Sequence, residues 1–164
     1  MSTIVVYGSS TGTCEAIAGK IGEKLGAQVV NVTDIDASTL EAADNILLGT
    51  STWGAGELQD DWYDGVDVVK GASLAGKTAA VFGCGDSDSY SDTFCAAMKE
   101  LYDAAAEAGA TLVGEVSADG YTFDDSDAVV DGKFVGLALD DINEADKTDE
   151  RIDAWLDQIK ASLQ

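Results

Sequence analysis

The sequence predicts an α/β fold: a doubly wound, five-stranded parallel sheet with helices on both faces. Three observations carry that expectation. Short apolar runs alternate with helical stripes along the chain, and strands alternating with helices make a parallel sheet. Several runs are apolar without a break, as in strands covered on both faces. A chain of 164 residues with 46% hydrophobic content fits one core, so a single domain over 1–164 is expected.

The first apolar run is 3–7 (TIVVY). Cys14, Ile17, Ala18, Ile21 and Leu25 follow at i, i+3, i+4, i+7 and i+11, one face of a helix. Further strands are read at 28–32 (QVVNV), 46–49 (ILLG) and 78–82 (TAAVF). Phe94, Cys95, Met98, Leu101, Tyr102 and Ala105 form a second stripe, ended by Gly109 as a left-handed cap. The fifth strand is read at 111–116 (TLVGEV) and resumes at 134–139 (FVGLAL). Between them, 117–131 (SADGYTFDDSDAVVD) is acidic, loop-like and lacks a helical stripe, so it reads as an insertion splitting that strand. Ile152, Trp155, Leu156, Ile159 and Leu163 form the last helix, with Thr148 as N-cap and Asp149 and Glu150 in the first turn, where the dipole favours acids.

Composition removes several functions. With 31 acidic against nine basic residues and a formal charge of -22, binding to nucleic acid or to an anionic membrane is disfavoured, and encounters with basic protein surfaces are favoured. Solubility or a saline habitat would explain the acidity equally well. Absence of histidine removes the commonest general base, and three cysteines without CxxC spacing make neither a disulfide framework nor a zinc site. No apolar stretch is long enough to span a membrane, and MSTIVVYG lacks the basic flank of a signal peptide; a cytoplasmic protein is expected. Any chemistry here belongs to a cofactor.

In open parallel sheets ligands sit beyond the carboxyl ends of the strands, where the strand order reverses. Three segments follow strand ends: 7–14 (YGSSTGTC), 49–57 (GTSTWGAGE) and 82–90 (FGCGDSDSY). The first is neither a Walker A loop nor GxGxxG. Lacking lysine, it suits a phosphate monoester held by backbone N–H groups, hydroxyls and the helix dipole, and equally an ordinary Ser/Thr-rich helix cap. Trp53 and Tyr90 lie outside every stripe, flanked by glycines and polar residues, and could set two flat rings about one crevice.

With these segments in view the sequence resembles the flavodoxins over nearly its full length, and the interrupted fifth strand resembles their long-chain subgroup. Ser9, Ser10, Thr11, Gly12, Thr13 and Cys14 are similar to the FMN phosphate loop; Thr50, Ser51, Thr52, Trp53 and Gly54 to the first isoalloxazine loop; Gly83, Cys84, Gly85 and Asp86 through Tyr90 to the second. Residues 57–62 (ELQDDW) and 131–140 (DGKFVGLALD) also match family patterns. The resemblance implies strand order 2-1-3-4-5, with Trp53 and Tyr90 sandwiching the flavin. Gly54 would occupy the position whose peptide turns over on reduction and offers its carbonyl to flavin N5; glycine crosses between negative and positive φ at little steric cost. Cys84, Gly85, Asp86, Thr93 and Cys95 would line the pyrimidine edge.

Two positions depart from the family. Cys14 stands where Thr or Ser is usual, which removes one side-chain hydrogen bond or, since it lies on the apolar stripe, reflects simple packing; packing is the favoured account. Ser51 stands where long-chain relatives often carry Pro.

The implied function is a low-potential one-electron carrier using non-covalent FMN, shuttling between semiquinone and hydroquinone, with no substrate turnover of its own. One carboxylate 10 Å from the flavin disfavours its reduced anion by about 1.7 kcal/mol, or roughly 70 mV per electron, at an effective dielectric of 20. The implied partners are reductases and oxidoreductases of the flavodoxin/ferredoxin type with basic docking surfaces, met by a monomer. The competing function is an FMN-dependent NAD(P)H:quinone oxidoreductase, but no basic or His residue in the three segments offers a nicotinamide site. A receiver domain lacks its acids and lysine at the strand ends, and 86–92 (DSDSYSD) lacks the glycine and closing glutamate of a calcium loop.

Overall fold

The computed structural model describes residues 2–8, 12–53, 57–58, 60–86, 88, 93–119, 121, 123–140 and 143–163, with the backbone alone for Trp53, Glu57 and Leu58. In chain order the elements are β1 (Thr3–Gly8), α1 (Thr13–Leu25), β2 (Gln28–Asn31), a 3-10 turn (Val32–Asp34), α2 (Ala37–Glu41), β3 (Asn45–Trp53), β4 (Glu57–Leu58), α3 (Trp62–Gly71), β5 (Thr78–Cys84), α4 (Met98–Glu107), β6 (Thr111–Leu112), β7 (Val116–Ser117), β8 (Val129–Val130), β9 (Lys133–Phe134), β10 (Leu137–Leu139) and α5 (Ala145–Lys160).

The main path of the sheet runs β10-β5-β3-β1-β2, all parallel. Counted by position this is the order 2-1-3-4-5. The strands read as unbroken apolar runs because both faces are covered. Ile4, Val6, Ile46, Leu48 and Val81 join a core with Trp62, Val66 and Val69 of α3 and Met98 and Leu101 of α4. The alternate residues Val5, Leu47, Ala80 and Phe82 join a second core with Ile17 and Ile21 of α1 and Ile152, Trp155 and Ile159 of α5. Outside that second core, exposed pairs Lys20–Asp149 at 3.0 Å and Lys24–Asp153 at 2.6 Å link α1 to α5. Each such pair contributes about 0–1 kcal/mol.

The fifth position of the sheet is filled twice. β6 pairs with the start of β5, Thr78 opposite Thr111, and β10 with its end, Leu139 opposite Cys84. The expected split is present, but it falls earlier than 117. Gly114 takes a left-handed φ of 90° and lies so close to Trp155 that a Cβ would meet the indole nitrogen at 2.7 Å, and its carbonyl accepts from Trp155 Nε1 at 2.8 Å. The chain therefore leaves the sheet at this glycine, and 111–116 is not one strand.

Nor is the insertion simply loop-like. β7, β9 and β8 form a separate three-stranded antiparallel sheet. Phe134, read from sequence as part of the returning strand, instead packs at 4.9 Å from Tyr121, 5.2 Å from Phe123 and 5.8 Å from Phe94, ring centre to ring centre. Tyr121 donates to the Ala138 carbonyl at 2.8 Å and lies under the Arg151 guanidinium at 3.9 Å. Burial pushes its phenol up to about 12.

Other boundaries shift for local reasons. β3 runs to Trp53 and β5 to Cys84, beyond the apolar cores at 46–49 and 78–82, because Thr50 pairs with Gly83 and Ser51 with Cys84. α2 and α3 lie outside the stripes read from the sequence; Gly65 interrupts the stripe of α3, yet a Cβ there would run into Val32 and Trp62, so close packing requires it. α5 begins at Ala145, a turn before the expected N-cap Thr148, which is buried inside the helix. The extra turn is held by Glu144, which pairs with Lys147 at 2.9 Å and Arg151 at 3.1 Å. Gly109 ends α4 as expected: at φ 102° it donates to the Ala106 carbonyl while Ala110 donates to Ala105, a Schellman closure. Among the described residues no helix is long and apolar enough to cross a membrane.

Candidate cofactor-binding site

The strand register brings the three sequence segments together. Gly8 at the end of β1 lies opposite Thr50 of β3, and Ser51 opposite Cys84 at the end of β5. With neighbouring strands spaced about 4.8 Å apart, three segments leave the same edge of the sheet within roughly 10 Å of one another. β2 and β3 flank β1 on opposite sides, so this edge includes the point where the order reverses.

On the β1 side, Ser9, Ser10 and Thr11 lie outside the described residues. Gly12 is the N-cap of α1 at φ 89°; among the described residues no side chain caps the helix and none comes within 4 Å of a Cβ built at Gly12. The first turn of α1, beginning at the half-buried Thr13, turns its dipole's positive end toward this edge of the sheet. Cys14, one residue further, is fully buried in the core shared with Val5 and Ile17. Its thiol packs, and the stripe rather than the loop explains it.

On the β3 side, Thr50 is fully buried and its hydroxyl donates to the Ser51 carbonyl at 2.9 Å; Ser51 is buried as well. Thr52 accepts at Oγ1 from the Ala97 N–H at 3.1 Å, which ties this strand to the N-cap of α4. Trp53 was expected in a loop; its backbone is the last residue of β3 and pairs with Glu57 of the antiparallel β4. The Trp53 side chain, Gly54 and Tyr90 lie outside the described residues, and with them the expected sandwich. Behind the strand, Trp62 donates through Nε1 to the Gly49 carbonyl at 2.7 Å, and Gly49 itself leaves no room for a Cβ against the Phe82 ring.

On the β5 side, Cys84 is a buried strand residue and not a loop residue. Gly85 donates to the Leu139 carbonyl at 2.9 Å, and a Cβ on it would sit 2.9 Å from the Cys95 nitrogen. Asp86, half-buried, accepts at Oδ1 from Asp88 N–H at 3.1 Å and from Asn143 Nδ2 at 2.7 Å. Thr93 is half-buried and its carbonyl accepts from Ala96 N–H at 3.1 Å. Cys95 has a φ of 53° and is fully buried, its thiol donating to Leu139 O at 3.6 Å. Burial pushes that thiol well above its ordinary value, so it stays neutral.

Burial favours the protonated form of Glu144, yet hydrogen bonds from Lys147 and Arg151 outweigh it and hold the carboxyl below its usual range. Asp140, at the end of β10, is fully buried. Asn143 was not singled out from sequence, since a lone Asn in an acidic stretch gives no periodic signal; Trp62 and Asp140 enter there only as the last residues of the family-like segments 57–62 and 131–140, without a role.

A doubly wound sheet with glycine- and hydroxyl-rich segments gathered at its reversal point defines a protein built to hold a nucleotide-sized ligand. The flavodoxin family model matches residues 5–155. Flavodoxin 1 of Azotobacter vinelandii is 43% identical over 159 residues, covering 93% of this chain and 91% of the relative. The flavodoxin of Helicobacter pylori is 41% identical over 97% of this chain and 96% of its own length. A crystal structure of Fusobacterium nucleatum flavodoxin bound to flavin mononucleotide superposes with a TM-score of 0.93 at 30% identity, covering 100% of both chains. The chain belongs to the flavodoxin family.

Proposed function

We propose that this chain binds FMN non-covalently and serves as a low-potential, one-electron carrier, with residues 1–164 acting as one domain. The observation that carries the proposal is the convergence of Gly8, Thr50 and Cys84 at one sheet edge beside the glycine-capped start of α1. Flavodoxin is itself among the examples behind the crevice rule, so that rule and the family membership are one support and not two. FMN, when bound, supplies the redox chemistry. The protein contributes binding, orientation and charge.

The phosphate falls to the first turn of α1, where the left-handed Gly12 starts the helix and the dipole's positive end favours an anion, together with Ser9, Ser10, Thr11, Thr13 and the backbone of Cys14. The ring system falls to Thr50, Ser51, Thr52, Trp53 and Gly54 on one side and Tyr90 on the other. The pyrimidine edge falls to backbone groups of Cys84, Gly85, Asp86, Thr93 and Cys95. Lys147 and Arg151 both pair with Glu144, which offsets one of their two positive charges. The partners are redox proteins with basic docking faces, met in the cytoplasm by a monomer.

Titration of the apoprotein with FMN, followed by stepwise reduction, tests this. A stoichiometric yellow complex reduced in two well-separated one-electron steps is expected, with no NAD(P)H consumption unless a reductase is added. Reduction in a single two-electron step, or turnover of NADPH with a quinone unaided, would overturn the carrier function in favour of the oxidoreductase.

A further inference from the structure

Asp86 and Asp140 come from distant parts of the chain, yet one side-chain amide joins them. Asn143 Nδ2 donates to Asp86 Oδ1 at 2.7 Å and to Asp140 Oδ2 at 2.9 Å, and the Asn143 backbone N–H donates to Asp140 Oδ1 at 2.9 Å. An amide nitrogen carries two hydrogens, so each carboxylate takes one. Glu144 N–H, the next along, donates to the Asp140 carbonyl at 3.0 Å and leads into α5. Ionised carboxylates brought together repel, and bonds to a shared neutral donor offset part of that repulsion.

We propose that Asn143 is a positioning residue for the flavin-facing segment 84–86, holding Asp86 against Asp140; the role rests on the FMN function proposed above. The segment has two anchors on consecutive residues. Gly85 is fixed by its backbone to Leu139, and Asp86 is fixed by its side chain, through Asn143, to Asp140. The first anchor sets where the backbone of Gly85 lies. The second sets where the charge of Asp86 lies, and Asp86 uses the same oxygen to close the turn to Asp88. Without the amide, Asp86 is pushed off Asp140 toward solvent, the turn at 86–88 loosens, and one negative charge leaves its fixed place beside the ring. Asn143 is itself exposed at the entry to α5, so its truncation leaves both cores untouched.

FMN affinity and the midpoint potential of the second electron, measured for wild type, Asn143→Ala, Asp86→Ala and the double variant, test the role, with far-UV circular dichroism confirming that each is folded. Asn143→Ala is expected to bind FMN about tenfold more weakly, the size of one charge-assisted bond, with a second-electron potential shifted to less negative values. In the Asp86→Ala background the same truncation should change neither quantity by more than about twofold, because no carboxylate remains there to be held. Equal losses in both backgrounds, or a folded Asn143→Ala with wild-type affinity and potential, would overturn the role. A wild-type apoprotein that takes up no FMN would instead overturn the function on which it rests.

Discussion

Gly12 and Gly85 mark the two ends of the candidate site, and the chain builds them by different means. Around Gly12 the described structure is local and made of backbone: a left-handed glycine at a helix start. Around Gly85 the work is distant and done by side chains. Thr52 reaches Ala97, Cys95 reaches Leu139, Asn143 reaches Asp86, and Phe94, next to Cys95, packs on the aromatic cluster of the insertion. A site end made of backbone tolerates side-chain change so long as the helix starts in the same place. One held by tertiary ties is sensitive to substitutions far along the chain.

The largest test of that contrast is Phe134→Ala. Emptying the centre of the ring cluster should lower stability by about 3–5 kcal/mol in urea unfolding, and should weaken binding of FMN more than binding of inorganic phosphate. Equal weakening of both would mean that the insertion does not act on the ring end selectively. Cys14→Ser probes the opposite end: a hydroxyl buried among Val5 and Ile17 without a partner costs about 1–3 kcal/mol, and FMN affinity should not improve. A gain in affinity would return Cys14 to the phosphate site. Gly85→Ala forces a Cβ to 2.9 Å from the Cys95 nitrogen and 3.1 Å from its sulfur and from Phe94. Overpacking of that kind costs about 1–3 kcal/mol in thermal or urea unfolding, whereas Ala at Gly12 meets no described atom within 4 Å and is strained through its φ of 89°.

Thr52→Val removes the acceptor for the Ala97 N–H and should cost about 0.5–1.5 kcal/mol, with a small loss of FMN affinity confined to the ring end. The smallest effect is expected from Glu144→Gln, about 0.2–1 kcal/mol, because the neutral amide still reaches Lys147 and Arg151 in these partly exposed pairs only through an uncharged oxygen. Because the folded carboxyl of Glu144 titrates below its usual 4.5, its contribution is complete above that value and is lost as pH falls through the lower, folded one. The stability gap between wild type and Glu144→Gln should therefore close on acidification; a gap that widens would mean that Glu144 is destabilising.

Much of the fold was legible because it depends on periodicity. Unbroken runs such as 46–49 and 78–82 announce strands covered twice, and Cys14, Ile17, Ala18 and Ile21 announce a helix with one buried face. Boundaries were less so. Thr50 to Trp53 and Gly83 to Cys84 read as loop because they are polar or small, yet they are strand because each has a neighbour to pair with. Thr148 has the chemistry of a cap, but the pairs of Glu144 with Lys147 and Arg151 carry the helix a turn further. The insertion, acidic along its length, hides Tyr121 and Phe123, which become core only when Phe94 and Phe134 arrive from elsewhere.

What the sequence by itself determined was the alternation of the buried strands β1, β3 and β5 with the helices α1, α4 and α5, the acidity, and the three segments that end strands near the site. These follow from local pattern and composition. Tertiary structure alone decided that Cys95 turns its sulfur to Leu139, that Thr52 braces α4, and that Asn143 joins two acids 54 positions apart. The reason is physical: a side chain's role is set by what lies within hydrogen-bonding reach, and here those partners are brought together by the sheet and not by the sequence between them.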